Sequence, residues 1–159
     1  MTINIIAAIG KNLELGKNNK LIWFIKEDLK YFKDKTLGKT VVMGENTYNS
    51  IGKPLSNRKN IVLSYDEKQI KDVVVINDYK DIFKLSDEEI FIIGGASVYK
   101  LFLPYAENLY LTEIEEEDNS ADCYFPVFDK SLYDKEIIKT VRTEDICYSF
   151  VCYKRKELR

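Results

Sequence analysis

Ile90-Phe91-Ile92-Ile93-Gly94-Gly95-Ala96-Ser97-Val98-Tyr99 decides the architecture. Successive large apolar residues read as a strand buried on both faces, as in a parallel sheet covered by helices on either side. Two glycines end the run, and a segment with helical character follows until Pro104. Glycines at such a turn let backbone amides approach an anion, and the helix N-terminus adds positive potential. The turn reads either as a pyrophosphate site or as a tight strand–helix connection. It is not a Gly-x-Gly-x-x-Gly pattern, so a standard Rossmann fingerprint is absent.

Working outward, Met43-Gly44-Glu45-Asn46-Thr47-Tyr48 repeats the arrangement after the strand Thr40–Gly44. Thr47 can cap the helix or donate to phosphate, and a plain cap is the alternative. Two such turns in one sheet suit a ligand with two phosphates lying across the strand ends. Further strands are expected at 3–9, 60–64, 73–76 and 108–114, with two more near 134–141 and 147–154. Helices are expected at 25–36, 45–51, 78–84 and 96–103. Strands alternating with helices, then two late strands with no helix between them, predict an α/β fold with an antiparallel edge.

The 159 residues suffice for one compact domain, and no repeat or Pro/Gly/Ser-rich linker divides them. The net charge of -2 supplies no field to recruit nucleic acid or a membrane surface. No apolar run approaches the roughly 20 residues that cross a bilayer. The first ten residues lack a basic start and read as a buried strand, not a leader. Cys123, Cys147 and Cys152 form no metal spacing, and an odd number leaves one unpaired in any disulfide scheme, so a reduced, cytoplasmic thiol state is expected. The chain contains no histidine, which excludes a Ser-His-Asp triad, a Cys-His dyad and any His-ligated metal. Acid–base chemistry must rest on carboxylates, Lys, Tyr, Cys or water.

Asp28 is the candidate for such chemistry. At about 100° per residue, Ile25, Leu29, Phe32 and Thr36 share one side of the helix over 25–36, and Asp28 falls at its edge. Lys26, Glu27, Lys30 and Lys33 fall elsewhere and are expected to face water. A carboxylate beside a buried face is costly unless something pairs with it. The polar loop 10–20, between the first strand and this helix, reads as a lid or as a surface connection. Arg58, just before a strand, has the geometry to fork onto a carboxylate, though a solvated arginine is the plainer reading. The acidic run Glu113–Asp118 reads as a solvated face, because no glycine-turn calcium loop accompanies it.

Several pieces then occur in a shared order: Leu15-Gly16 with Ile22-Trp23; Asp28-Leu29 with Phe32-Lys33; Val42-Met43-Gly44 with Thr47-Tyr48 and Ser50-Ile51-Gly52-Lys53-Pro54-Leu55; Arg58-Lys59-Asn60; Ile93-Gly94-Gly95-Ala96 with Tyr99; Leu111-Thr112 with Ile114; and Asp122 with Phe125-Pro126. Over nearly its whole length the chain resembles the dihydrofolate reductase family. The resemblance implies a single domain, residues 1–159, whose eight-stranded, mostly parallel sheet is flanked by four helices, with an adenosine-binding subdomain at approximately 39–88. It implies reduction of 7,8-dihydrofolate to tetrahydrofolate by NADPH, in one-carbon and thymidylate metabolism, by a cytoplasmic monomer that is a target of antifolates. No metal, nucleic acid or membrane is implied.

Carried over by position, Asp28 is the ionisable side chain aimed at the pterin, with Thr112 behind it and an apolar setting that raises its pKa. Trp23 and Leu21 complete the catalytic set. Ile6, Ala7, Leu29, Phe32, Ile51 and Ile93 wall the substrate, Lys53 lies beside it, and Arg58 binds the glutamate α-carboxylate. Ala8, Leu15 and Gly16 border the nicotinamide with Leu21 and Trp23. Gly44, Glu45, Asn46 and Thr47 belong to the pyrophosphate side, with Glu45 next to the 2′-phosphate, and Leu63, Ser64 and Tyr65 also bind the cofactor. Gly94, Gly95, Ala96, Ser97, Val98 and Tyr99 carry the pyrophosphate, and the loop 10–24 is the lid.

Two positions depart from the family pattern. Ile22 stands where a proline commonly precedes the lid tryptophan, which implies a less stiff lid. Glu45 stands where many relatives have a basic residue beside the cofactor's 2′-phosphate, and Ser64-Tyr65-Asp66 places a second acid across that pocket. Either these acids weaken the preference for NADPH and admit NADH, or they point into solvent while Lys39, Lys68 or a backbone amide holds the phosphate. The competing functions are a related pteridine or pyrimidine reductase, as in riboflavin synthesis, and a non-catalytic nucleotide-binding module. Asp28 and the short arginine segment argue against the first, and the second has no need for Asp28.

Overall fold

The computed structural model describes residues 1–157, and the last two residues of the expected domain lie outside them. In chain order the strands and helices are β1 (Thr2–Ile9), β2 (Glu14–Lys17), β3 (Lys20–Leu21), α1 (Lys26–Thr36), β4 (Thr40–Gly44), α2 (Glu45–Ile51), β5 (Lys59–Leu63), β6 (Val74–Ile76), β7 (Glu89–Gly94), α3 (Ala96–Phe102), β8 (Asn108–Ile114), β9 (Cys123–Tyr124), β10 (Tyr133–Arg142) and β11 (Cys147–Arg155). Eight of the strands form one sheet in the order β10-β11-β8-β1-β7-β4-β5-β6. The strands from β8 through β6 run parallel to their neighbours, whereas β11 pairs antiparallel with β8 and β10 antiparallel with β11. The expected antiparallel edge is therefore a two-strand hairpin.

The central strands are apolar on both faces because both faces are covered. Ile3, Ile5, Ile9, Val42, Ile61, Ile90 and Ile92 pack with Val98, Tyr99 and Phe102 of α3. On the opposite face Ile6, Val41, Met43, Val62 and Phe91 meet Tyr31 and Phe32 of α1 and Tyr48 and Ile51 of α2. Alternation along each strand sends neighbours to opposite layers. The α1 helix carries Glu27 and Asp28 in its first turn and Lys33 and Lys35 in its last, the charge order its dipole favours.

Of the four expected helical segments, 78–84 is a 3-10 helix, Tyr79–Lys84, begun by Asp78, whose side chain accepts from the Lys80 amide. Tyr79, Ile82 and Leu85 all face the α3-side core. A three-residue repeat of apolar contacts aligns in a 3-10 helix, where residues three apart eclipse, and would spiral off the core in an α-helix. The segment 10–20 is more ordered than a polar loop: β2 lies between β3 and β9 in a small separate sheet. Glu27 does not simply face water. It pairs with Lys139 at 2.6 Å and accepts from Tyr148 Oη at 2.8 Å, so α1 is tied across to β10 and β11.

Ile92 lies at the middle of β7 with no exposed surface, flanked by β1 and β4. Ile92→Ala is expected to lower the unfolding free energy by about 2–5 kcal/mol. Urea denaturation checks it, with the midpoint falling at an unchanged slope.

Candidate active site

The carboxyl ends of β1, β7, β4 and β8 lie side by side, which brings together residues from five chain segments. Asp28 enters from the first turn of α1. Thr112, buried on β8, donates from Oγ1 to Asp28 Oδ1 at 2.6 Å across 84 residues of chain. Among the described residues Asp28 has no other side-chain or backbone donor, so one edge of the carboxylate is held and the other is free to pair. Burial raises the Asp28 pKa above its ordinary value of 3.8, and the Thr112 hydrogen bond acts in the opposite direction. Tyr31, one turn along α1, stacks on Phe150 at 4.3 Å and has its phenol pushed up to about 12, chiefly by burial.

The expected substrate wall is assembled on the α1–α2 side of the sheet. Ile6, Phe32, Ile51 and Ile93 belong to one apolar cluster there, and Ala8 and Trp23 to the adjoining one. Leu29, at 39% exposed, projects from α1 at the open side. Ala7 is placed otherwise. Strand alternation packs its methyl with the α3-side core, so only its backbone reaches the wall. Lys53 follows α2 and is exposed. Arg58 is not merely solvated: Nε donates to the Ser56 carbonyl at 2.9 Å and an Nη to Thr36 Oγ1 at 3.0 Å. Thr36 in turn is fully buried and donates to the Phe32 carbonyl at 2.8 Å. Sequence reasoning placed Thr36 on the helix face but missed its hold on Arg58, because the two meet only through folding.

The two glycine turns are neighbours, since Met43 of β4 pairs with Gly94 of β7. The Gly94–Gly95 peptide is cis. A Cβ at Gly94 would lie 3.4 Å from Thr47 Oγ1 and 3.5 Å from Tyr99 Oη, and one at Gly95 would lie 3.5 Å from the same threonine oxygen. Gly94 has φ of 131°, a conformation side chains disfavour. Tyr99 is pinned by donating to the Ile6 carbonyl at 2.8 Å, which joins the second glycine turn to the expected substrate wall. Backbone, hydroxyls and absent side chains thus make a cradle that fits a pyrophosphate. Asn46, Ser97 and Tyr65 are exposed around it, Tyr65 at 78%, while Leu63, Ser64 and Val98 are buried and Ala96 half-buried.

At the far end, Glu45 accepts from Ser64 Oγ at 2.8 Å and forms an ion pair with Lys68. Lys68 first and Ser64 second hold its carboxyl below the usual carboxylate range. The expectation that Glu45 points freely into solvent does not hold. Lys39 is 3.1 Å from Glu89.

The segment 10–24 is the one expected to border the nicotinamide. Asp122 N donates to the Gly16 carbonyl at 3.1 Å and Asn18 N to Asp122 Oδ2 at 2.9 Å, so this segment is held against the loop after β8. Leu15 packs toward the α3-side core. Leu21, on β3, is 56% exposed. The acidic run 113–118 is no plain solvated face either, because Glu113 pairs with Lys135 at 3.0 Å and accepts from Tyr153 at 2.7 Å. Sequence reasoning also missed Glu14, which is buried at the base of the lid. Leu13 has φ of 66°, a left-handed kink that turns the next side chain inward. A lone acid between two leucines was the available signal.

A sequence profile of the family described as dihydrofolate reductase matches residues 2–155. The chain belongs to the dihydrofolate reductase family. It is 43% identical over 148 residues to the dihydrofolate reductase of Buchnera aphidicola from Acyrthosiphon pisum, a match covering 91% of each chain. It is 39% identical over 161 residues to that of Bacillus subtilis, covering 97% of this chain and 95% of the relative. A solved Enterococcus faecalis dihydrofolate reductase complexed with NADP(H) and RAB-propyl superposes with a TM-score of 0.90 at 30% identity, covering 98% of this chain and 97% of that one. Membership makes the chain an oxidoreductase of one-carbon metabolism, with NADPH-dependent dihydrofolate reduction as its reaction.

The raised Asp28 pKa makes the protein's stability depend on pH. The folded protein keeps a proton on Asp28 to higher pH than the unfolded chain does. Stability from this group is fully present below 3.8 and is lost as pH rises through the higher folded value. Thr112→Val removes the opposing donor, so the loss runs on to higher pH. The variant is expected to be less stable than the parent by about 1–3 kcal/mol at pH 7, with the gap narrowing below about pH 4. Urea melts at the two pH values check it.

Proposed function

We propose that the chain reduces 7,8-dihydrofolate to 5,6,7,8-tetrahydrofolate with Asp28 as the residue that holds and polarises the pterin. The observation that carries this is the half-buried Asp28 carboxylate, secured on one oxygen by Thr112 and set beside an apolar wall. Its paired acceptor geometry matches the ring N3–H and 2-amino group, and two hydrogen bonds fix the ring angle. Bound NADPH supplies the hydride, from nicotinamide C4 to pterin C6. Asp28 is committed to the opposite edge of the pteridine, so N5 takes its proton through water. Ile6, Phe32, Ile51 and Ile93 exclude water from the ring faces, Leu29 packs on the benzoyl group, and Arg58, braced by Thr36, receives the glutamate α-carboxylate with Lys53 nearby.

Gly44–Thr47 and Gly94–Tyr99 hold the pyrophosphate, Leu63–Tyr65 the adenosine, and Ala8, Leu15, Gly16, Leu21 and Trp23 the nicotinamide side. Residues 39–88 act as an adenosine-binding subdomain of the single domain. The enzyme works as a cytoplasmic monomer, and antifolates with a diaminopyrimidine ring bind Asp28 as cations. Among the described residues no helix is long and apolar enough to cross a membrane, and no group of His, Cys, Asp or Glu is arranged to hold a metal.

Asp28→Asn keeps the shape and removes the charge. Turnover of dihydrofolate is expected to fall by about two orders of magnitude or more at pH 7, with NADPH affinity largely intact. Near-parental turnover in that variant refutes the role given to Asp28. A pteridine reductase of another class would fail to oxidise NADPH with dihydrofolate, and a binding module would oxidise none.

Cofactor choice follows from Glu45. With Lys68 paired to Glu45 and Asp66 alongside, the pocket carries one positive and two negative side chains. A 2′-phosphate meets net negative charge there, whereas a free 2′-hydroxyl meets an acceptor. The ratio of kcat/KM for NADPH to that for NADH is expected to be below about a hundredfold, and steady-state assays with the two cofactors measure it. A larger preference would mean that Lys68 leaves Glu45 for the phosphate.

A further inference from the structure

Among the described residues Glu14 is the ionisable carboxyl that is fully buried, at 1% exposed, and nothing in the proposed chemistry uses it. Both of its oxygens accept main-chain donors: Oε1 from Asn12 N at 2.7 Å and Oε2 from Asp118 N at 2.7 Å. The first bond closes the turn at the start of the lid. The second reaches 104 residues along the chain to the loop after β8. Around it, Lys11 N donates to the Glu116 carbonyl at 2.9 Å and Phe125 N to the Leu13 carbonyl at 2.8 Å. The carboxylate thus sits at the centre of a main-chain seam between residues 10–14 and 116–125.

The seam includes Trp23. A Cβ at Gly10 would lie 2.5 Å from Trp23 Cη2, 2.6 Å from Glu14 Oε1 and 2.9 Å from the Glu116 carbonyl. The indole edge and the carboxylate therefore both crowd the one position that a side chain at residue 10 would take. Moving Glu14 releases Gly10 and, with it, the seat of the indole. Leu15 and Gly16, the next residues of β2, depend on the same anchor for their height above the strand ends.

We propose that Glu14 is a positioning residue for hydride transfer: it locks the base of the lid to the loop after β8, so that Leu15, Gly16 and Trp23 stand at fixed positions while only the lid beyond them opens. This rests on reading 10–24 as the wall of the nicotinamide side. A carboxylate suits the task because it only accepts, and its two oxygens satisfy two buried N–H groups with charge-assisted bonds. Glutamine cannot do both. Its amide NH₂ would face one of the two N–H donors, leaving that donor unsatisfied and one tether cut. Alanine cuts both.

The test compares the parent, Glu14→Gln and Glu14→Ala, each with NADPH bound and each well below its melting midpoint. Trp23 is the sole tryptophan, so its emission and its quenching by acrylamide report directly on the seam. The expected results are a kcat lowered about tenfold in Glu14→Gln and about a hundredfold in Glu14→Ala, with KM for dihydrofolate within about threefold of the parent and Trp23 quenching rising in the same order. A lower melting temperature with unchanged kcat and unchanged quenching makes Glu14 a stabilising residue only and overturns the proposal. So does a loss that falls on KM. If Glu14→Ala does not fold, Glu14→Gln decides alone. A parent chain that fails to reduce dihydrofolate refutes the functional reading instead, and Trp23 quenching then still reads whether Glu14 holds the seam.

Discussion

Asp28 sits at the edge of an apolar cleft with Thr112 as its one donor among the described residues, and desolvation weighs against its charged form. Among the described residues no lysine or arginine pairs with it, which leaves the other edge of the carboxylate open. The cost of partial burial is accepted in return for orientation. A carboxylate held on one side by a buried threonine presents its other side at a fixed angle, the angle on which the proposed role of Asp28 rests. Tyr31, Ile6 and Phe32 keep the surroundings apolar, and the same residues form the core of the α1 side of the sheet. Site and core are therefore not separable on this face.

The cofactor end follows a different physical logic. Backbone takes the place of side chains at the cradle, where Gly94 and Gly95 lie within reach of Thr47 and Tyr99. Tyr99, reaching across to the Ile6 carbonyl, sets the distance between cradle and substrate wall. Charge enters only at the far end, and there it is mixed: Glu45 lies between Ser64 and Lys68 instead of standing free. With Asp66 alongside, the pair leaves the local balance negative, and the proposed cofactor discrimination rests on that balance.

The lid combines the two themes. Its tip is held by Asp122 through an exposed bond from Asn18 N to Oδ2, which water competes for and which can open. Its base is held by Glu14 through bonds sealed from water. Buried charge-assisted bonds are strong and their loss is expensive, so motion is confined to the segment beyond them.

Local pattern was enough for much of this. The apolar runs at β1, β4, β5 and β7, the glycine turns and the late strand pair follow from periodicity and composition, because strand burial and turn chemistry are written in neighbouring residues. Asp28 was legible for the same reason: helical spacing placed a carboxylate at the margin of an apolar face. The order of motifs along the chain brought Thr112 and Arg58 into view as partners. Other features depended on residues far apart meeting in space. The 3-10 winding of Tyr79–Lys84 depends on which core it packs against, and the inward turn of Glu14 on a left-handed Leu13. The tie between Thr36 and Arg58, the seating of Ala7 on the opposite layer, and the pairing of Glu45 with Lys68 and of Glu27 with Lys139 depend on hydrogen bonds between distant segments. Propensity and spacing carry no information about such bonds, since their donors and acceptors are chosen only when the sheet has closed.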